Sequence, residues 1–257
     1  MRIISGIHNG IFYRLWLPNT SGSLPALVIV SHGLGDNHAY DAEGFEYLAG
    51  LSYAVLAFDF RGGSAAINEN RSEGDSLHMS VMTEARDLKE MALFAQRELA
   101  DVVDVNKIAL MGYSQGGFVT AVAAADLPGE LSTDVKGIIL LYPGFSLRDM
   151  VRGMFRDKTD IPARFGLFDD FITVGRNYAE DVWDYDIYRE IGHFTGPVLI
   201  LHGDADDKVP LSYSSRALDA YRRAELRVIK GQGHGFGICR TPEIQNSISD
   251  FLLWKLF

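Results

Sequence analysis

Residues 108–116 read Ile108-Ala109-Leu110-Met111-Gly112-Tyr113-Ser114-Gln115-Gly116, and the residues from Gln115 to Ala125 continue with helical spacing. A short apolar run that ends in Gly-x-Ser-x-Gly and opens a helix marks a sharp strand-to-helix turn. A serine at such a turn sits in a strained backbone, and glycine two places to either side avoids the clash that a side chain would make. Its hydroxyl is pushed out at the carboxyl end of the strand, where the new helix also presents its positive end. The chain has 26 glycines, so the bare pattern is only moderately specific. The strand–turn–helix context carries the reading of Ser114 as a nucleophile.

Outward from this turn, short apolar runs alternate with helical patterns. Strands are expected at Ala26–Ser31, Ala54–Phe60, Ile108–Met111, Gly137–Leu141, Val198–Leu201 and Leu226–Ile229. A half-buried strand is expected over Ile11–Leu17, after the turn signal His8-Asn9-Gly10. Helices are expected at Met82–Glu98, Gln115–Ala125, Tyr213–Ala224 and Pro242–Trp254, the last with Thr241 as N-cap and proline at the first position. This alternation predicts an α/β fold with a mainly parallel sheet. Residues 143–194 break the rhythm with more than fifty aromatic-rich residues. A connection that long carries structure or function. It is read as a cap inserted between two parts of one core, residues 1–142 and 195–257.

Composition narrows the class. Hydrophobic residues are 47% and charged residues 23%, which is globular rather than disordered. The 34 acidic against 24 basic residues give a net charge of −10, which argues against a nucleic-acid partner. Cys239 is the single cysteine, so no intrachain disulfide and no Cys-rich metal site is expected; it reads as a small packed hydrophobe. The N-terminal residues lack a continuous apolar core for a secretory signal, and no apolar stretch approaches ~18 residues. A cytoplasmic protein without membrane association is the expectation.

A nucleophilic serine needs an imidazole to take its proton and a carboxylate to orient that imidazole. In this type of fold they follow the serine in the order acid, then histidine. Downstream lie His193, His202 and His234. His234 is flanked by glycines just after the last strand and reads as the base, His202 as structural and His193 as part of the cap. The acid belongs on the loop His202-Gly203-Asp204-Ala205-Asp206-Asp207-Lys208-Val209-Pro210. Spacing alone does not choose among its three aspartates. His32, His38 and His78 lack metal-ligand spacing, so no metal is expected. His38 reads as an exposed loop histidine.

Over nearly its whole length the chain resembles the serine α/β-hydrolases, through His32-Gly33, the turn at Ser114, the loop from His202 to Pro210 and the loop at His234. That resemblance selects the acid three residues after Gly203, Asp206. It also implies an oxyanion hole made by the backbone N–H groups of Gln115 and Leu34, with His32 bracing the loop. No cofactor is implied. Within the superfamily the chain is most similar to small bacterial feruloyl (cinnamoyl) esterases and related carboxylesterases, through an N-terminal hairpin, Asp59-Phe60-Arg61-Gly62 and the length of the cap. In those enzymes a cap aspartate and tyrosine bind the substrate phenol, which implies that role for Asp149 and Tyr178. The Asp149 match needs a one-residue gap, with a solvated cap carboxylate as the competing reading. For Tyr178 the competitor is a core aromatic. Gly62-Gly63-Ser64-Ala65-Ala66 departs from the family's usual turn.

The activity implied is hydrolysis of a small-molecule carboxylic ester through an acyl-enzyme. A single-domain serine aminopeptidase, an acyl thioesterase and a non-catalytic receptor on the same fold are the alternatives. An aminoacyl-anilide assay separates the first, and a basic patch at the pocket mouth would favour the second. A missing triad member would mark the third. The aromatic cap also suits a homodimer interface.

Overall fold

The apolar runs become the inner strands of one sheet. The computed structural model describes residues 1–20, 22–69, 71–131 and 134–256. In chain order the strands are β1 (Arg2–His8), β2 (Ile11–Leu17), β3 (Ala26–Ser31), β4 (Ala54–Phe58), β5 (Asp104–Tyr113), β6 (Ile138–Leu141), β7 (Arg164–Leu167), β8 (Ile172–Gly175), β9 (Val198–Gly203) and β10 (Ala224–Ile229). The helices are α1 (Ala42–Gly50), α2 (Val81–Glu98), α3 (Gln115–Asp126), α4 (Leu147–Met154), α5 (Arg176–Trp183), α6 (Ile187–Ile191), α7 (Leu211–Ala220) and α8 (Pro242–Phe251).

Eight strands pair in the order β1-β2-β4-β3-β5-β6-β9-β10, and β7 and β8 form a separate antiparallel hairpin. Only β1/β2 and β2/β4 are antiparallel in the main sheet. The inner parallel strands β3, β4, β6 and β9 are buried on both faces, which is why they read as unbroken apolar runs, whereas the edge strand β10 is only partly covered. Alternate residues serve opposite faces. Leu27, Ile29, Leu110, Ile138, Leu140 and Ile200 pack with α2 and α3. Val28, Val30, Met111, Ile139, Leu141 and Leu201 pack with α1 and α8. Chain order jumps from β4 across β3 to β5. That reversal opens a crevice at the carboxyl ends of the strands, where open α/β sheets bind ligands.

Helix α2 follows its predicted apolar stripe, with Ala85, Leu88, Met91, Ala92 and Ala95 buried behind a Ser80–Thr83 capping box. Thr241 caps α8 as expected, and Pro242 occupies its first turn. Some bounds differ from the sequence expectation, β4 ending at Phe58 and α8 at Phe251 rather than at Phe60 and Trp254, and two helices differ more. Helix α7 stops at Ala220 because Tyr221 is extended, and Ala224 instead opens β10 opposite Val198. Helix α1 was not foreseen. Its signal is Asp41 as N-cap before Phe45, Leu48 and Ala49, diluted by Gly44 and Gly50.

The insertion over 143–194 holds α4, β7, β8, α5 and α6. Its Phe145, Val151, Phe165, Tyr178 and Phe194 join the same apolar cluster as Phe118 and Val122 of α3. It therefore shares the core of one sheet face rather than building its own. Its β7–β8 tip is the exception: Phe168, Asp169 and Asp170 all have positive φ, and Phe168 and Phe171 remain exposed. Among the described residues no helix is long and apolar enough to cross a membrane.

Candidate active site

Ser114 is the hinge between β5 and α3, with φ 50° and ψ −117°, a conformation that L-residues rarely adopt. A Cβ on Gly112 would run into the carbonyl oxygen of Gly116, and one on Gly116 into those of His32 and Ser31. The two glycines thus let the turn close against the loop after β3. The backbone N–H of Ser114 donates to Leu141 O at 2.9 Å, which fixes the turn to β6.

The Ser114 Oγ stands 2.8 Å from His234 Nε2, and His234 Nδ1 stands 2.7 Å from Asp206 Oδ2. Three loops at the carboxyl ends of β5, β9 and β10 bring these residues together. Asp206 Oδ1 accepts the backbone N–H groups of Lys208 and Val209, each at 2.9 Å. Burial pushes the Asp206 carboxyl up, but the N–H of Val209, His234 and the N–H of Lys208 outweigh it and hold the group below the usual carboxylate range. The other two aspartates of the loop have separate roles. Asp204 accepts the N–H of Gly231 at 2.5 Å, joining the two loops, while Asp207 is exposed beside Lys208.

Two further groups surround this constellation: His202, read from the sequence as structural, and Tyr142, which the sequence did not single out. His202, with no exposed side chain, has Nε2 3.1 Å from the same Asp206 Oδ2 and 2.9 Å from Val209 O, while its Nδ1 meets Ser214 Oγ at 2.7 Å. Burial holds its pKa below the ordinary histidine value, so the neutral ring with a proton on Nε2 fits its partners. Tyr142 packs edge-on to the His234 ring at 4.7 Å, with its hydroxyl bound to Phe236 O and 3.1 Å from the Tyr40 hydroxyl. An aromatic at the end of an apolar strand gives no signal that separates this role from ordinary core packing.

Leu34 and Gln115 both line the cavity beside Ser114. Neither backbone N–H has a partner among the described residues. The loop that carries Leu34 is rigidly held. His32 Nδ1 donates to Gly33 O at 2.7 Å, and its Nε2 accepts from Phe60 N at 3.1 Å. A carbonyl only accepts and an amide N–H only donates, so the pair fixes one neutral tautomer, and burial favours it by lowering the His32 pKa. The unusual segment at Gly62 to Ala66 clamps the next turn. Gly35 N donates to Gly63 O and Ala65 N to Gly35 O, both at 3.0 Å.

The cavity holds about 250 Å³ and is mostly apolar, walled by Leu34, Leu147, Met150, Phe168, Phe171 and Val209. Asp36 is a half-buried acid in its wall. Its carboxylate has no hydrogen-bond partner among the described residues, and burial pushes it up to about 6. Asp36 Oδ2 and the Ser114 Cβ each lie 3.5 Å from the point a Cβ on Gly33 would occupy. The two are therefore no more than about 7 Å apart.

Three expectations are corrected. Asp149 does not line the cavity: on α4 it is Leu147 and Met150 that face inward, while Asp149 accepts the Tyr213 hydroxyl at 2.9 Å near the surface. Tyr178 has no exposed surface, and its hydroxyl donates to Gln115 Oε1 at 2.5 Å behind the cavity wall. The core-aromatic reading holds for it. His38 is not an exposed loop residue; it is 5% exposed, and its Nδ1 lies 2.6 Å from Asp59 Oδ1. Among the described residues no group of three or more His, Cys, Asp or Glu side chains is placed to hold a metal ion.

Comparison with known proteins agrees with this architecture. Residues 22–165 match the family described as serine aminopeptidase, S33. A monoglyceride lipase of Rattus norvegicus is 32% identical over 134 residues, which cover 52% of this chain but 39% of the lipase. The match thus spans well under two thirds of that relative. A monoacylglycerol lipase of Mycolicibacterium smegmatis is 20% identical over 95% of this chain and 92% of its own. Among solved structures, Est1E from Butyrivibrio proteoclasticus with ferulic acid bound superposes with a TM-score of 0.80 at 23% identity, over 98% of both chains. At that identity the likeness is one of fold. With more than half its length matched by the family model, this chain belongs to the serine aminopeptidase S33 family and has the α/β-hydrolase fold.

Proposed function

We propose that the protein is a serine esterase that hydrolyses small carboxylic esters of an apolar acyl group. The observation that carries this reading is the unbroken contact series Ser114–His234–Asp206 at the wall of a mostly apolar cavity. Ser114 attacks the ester carbonyl while His234 Nε2 takes its proton. Asp206 holds the ring and stabilises its charged form. The carbonyl oxygen, now negative, is met by the N–H groups of Leu34 and Gln115. His234 returns the proton to the leaving alcohol, and water repeats the sequence on the acyl-enzyme. The cavity is slightly smaller than the roughly 300–1,000 Å³ of pockets for drug-sized ligands, which suits a small acyl group.

Two ester classes have support. Monoacylglycerols are supported by the lipase relatives. Hydroxycinnamate (feruloyl) esters are supported by the aromatic walls Phe168 and Phe171 and by the shared fold; Asp149 and Tyr178 are not the residues that would bind their phenol. A second reading, an aminopeptidase, is favoured by one observation: the unpaired Asp36 carboxylate is suited to a substrate ammonium group. Parallel hydrolysis of p-nitrophenyl acetate, p-nitrophenyl octanoate, a 1-monoacylglycerol, methyl ferulate and an aminoacyl anilide, with Ser114→Ala as control, tests the assignment. Serine-dependent ester turnover supports it. Turnover of the anilide alone moves the protein to the peptidase reading, and ester turnover that survives in Ser114→Ala refutes both.

A further inference from the structure

The Gln115 side chain takes no part in the steps above, yet it is buried and engaged at both ends. Its Oε1 accepts the Tyr178 hydroxyl from α5 of the insertion at 2.5 Å, and its Nε2 donates to Glu84 Oε2 of α2 at 2.8 Å. Glu84 is 1% exposed, and its second oxygen, Oε1, has no partner among the described residues. A buried polar atom left unmatched costs about 1–3 kcal/mol. Packing alone would be better served by an apolar side chain at this point of α2. Burial pushes the Glu84 carboxyl well above the usual carboxylate range, and the hydrogen bond from Gln115 does not reverse this. Burial thus favours the neutral acid, which sets no negative charge beside a developing oxyanion.

Two further observations tie Glu84 to the reaction centre. The first turn of α3 has no side-chain cap, because Ser114 stands at the N-cap position and makes no capping hydrogen bond. That turn carries the Gln115 N–H; backbone bonds from Ser114 N to Leu141 O and from Gly144 N to Ser114 O hold it on the sheet side, and the Gln115 side chain adds the tie to α2 and α5. Secondly, α5 is fastened to the start of α2. Ser80 Oγ donates to Asp181 Oδ2 at 2.5 Å, and Asn177 Nδ2 donates to Met79 O at 3.1 Å. Tyr178 therefore meets Gln115 from a fixed platform, unlike the exposed β7–β8 tip of the same insertion.

We propose that Glu84 is a positioning residue for the oxyanion hole: through the Gln115 side chain, gripped on its other side by Tyr178, it fixes the direction of the Gln115 N–H and makes α5 part of the catalytic framework. This rests on the reading of Ser114 as nucleophile and of the Gln115 N–H as oxyanion donor. The test compares Glu84→Leu, Glu84→Gln, Tyr178→Phe and Ser114→Ala by kcat and KM on p-nitrophenyl acetate. It adds inhibition by a boronic acid, which forms a tetrahedral adduct on the serine.

Losing a whole oxyanion donor costs about 10²–10³ in kcat, so misdirecting one should cost Glu84→Leu roughly 10- to 100-fold, with KM within about twofold. Boronate affinity falls in step. Glu84→Gln keeps an oxygen acceptor for Gln115 and recovers kcat to within about threefold, while Tyr178→Phe shows a smaller fall in kcat alone. A folded Glu84→Leu with wild-type kcat overturns the proposal. So does a loss that Glu84→Gln shares in full. Should Glu84→Leu fail to fold, unchanged kcat and boronate affinity in Tyr178→Phe overturn it. An inactive Ser114→Ala beside an unaffected Glu84→Leu refutes this inference alone; an active Ser114→Ala refutes the reading beneath it.

Discussion

His202 and His234 converge on one oxygen of Asp206, at 3.1 Å and 2.7 Å, from the end of β9 and from the loop after β10. A second ring thereby holds the oxygen that meets His234, while the other oxygen is held by two backbone N–H groups. Asp206→Asn removes the acceptor that orients His234. It should lower kcat by about 10⁴, the loss seen for the equivalent change in a serine protease, with circular dichroism unaltered. Asp204→Asn keeps a side-chain oxygen for Gly231 N and should retain activity. The reverse ranking of the two variants would move the acid to Asp204.

Proton linkage at His202 gives a stability prediction. Burial lowers the pKa of His202 and of His32, so the folded state holds each ring neutral at a pH where the unfolded chain binds a proton. Their contribution is complete above about pH 6.5, the unfolded value. It is lost as the pH falls below it toward the lowered folded pKa. Melting temperature should therefore decline from pH 7 to pH 5, and decline less in His202→Gln, which does not titrate. Equal slopes in the two proteins would count against the buried neutral ring.

Asp36 works in the opposite sense. Its carboxyl is raised to about 6 in the folded state, so the fold keeps a proton that the unfolded chain releases near pH 4. Stability is lost as the pH rises from about 4 to 6, and the full cost is present at pH 8. Two pKa units correspond to about 3 kcal/mol, reduced to about 1–2 kcal/mol by partial solvent access. Asp36→Asn should stabilise by that amount at pH 8 and by nothing measurable at pH 4. Urea unfolding at both values checks it, and equal effects at the two would mean that the charge is not the cause.

The proposed oxyanion donors are backbone groups, so side-chain truncation at Leu34 leaves the N–H in place. Leu34→Ala should change kcat by less than about threefold, since the loss of a donor itself costs about 2.7–4 kcal/mol. A fall of two orders of magnitude on p-nitrophenyl acetate would show that the leucine side chain, not the amide, does the work.

The sheet and the nucleophile turn were legible because local sequence decides them. Unbroken apolar runs such as Leu27–Val30 and Ile138–Leu141 have no exposed face to encode, and Gly112 is required by contacts with Gly116 and Thr120, within a few residues of Ser114, while Gly116 keeps clear of the carbonyls of Ser31 and His32. Asp206 needed the family pattern, because three adjacent aspartates differ only in where the loop points them. The substrate-binding expectation failed at Asp149 and Tyr178 for a related reason. Which side of a cap helix faces the cavity depends on how the insertion docks, and Tyr178 docks on Gln115 from behind. Tyr142 and Glu84 act across loops and helices far apart in sequence, and residue spacing carries no trace of such contacts.

Everything proposed for the site rests on Ser114 as the nucleophile. Its most direct test is stoichiometric reaction with a fluorophosphonate, followed by intact mass and peptide mapping. One phosphonyl group per chain is expected, on the peptide containing Ser114, with labelling abolished in Ser114→Ala and slowed in Asp206→Asn. A label on another residue, or no label on a preparation that still turns over esters, would contradict it.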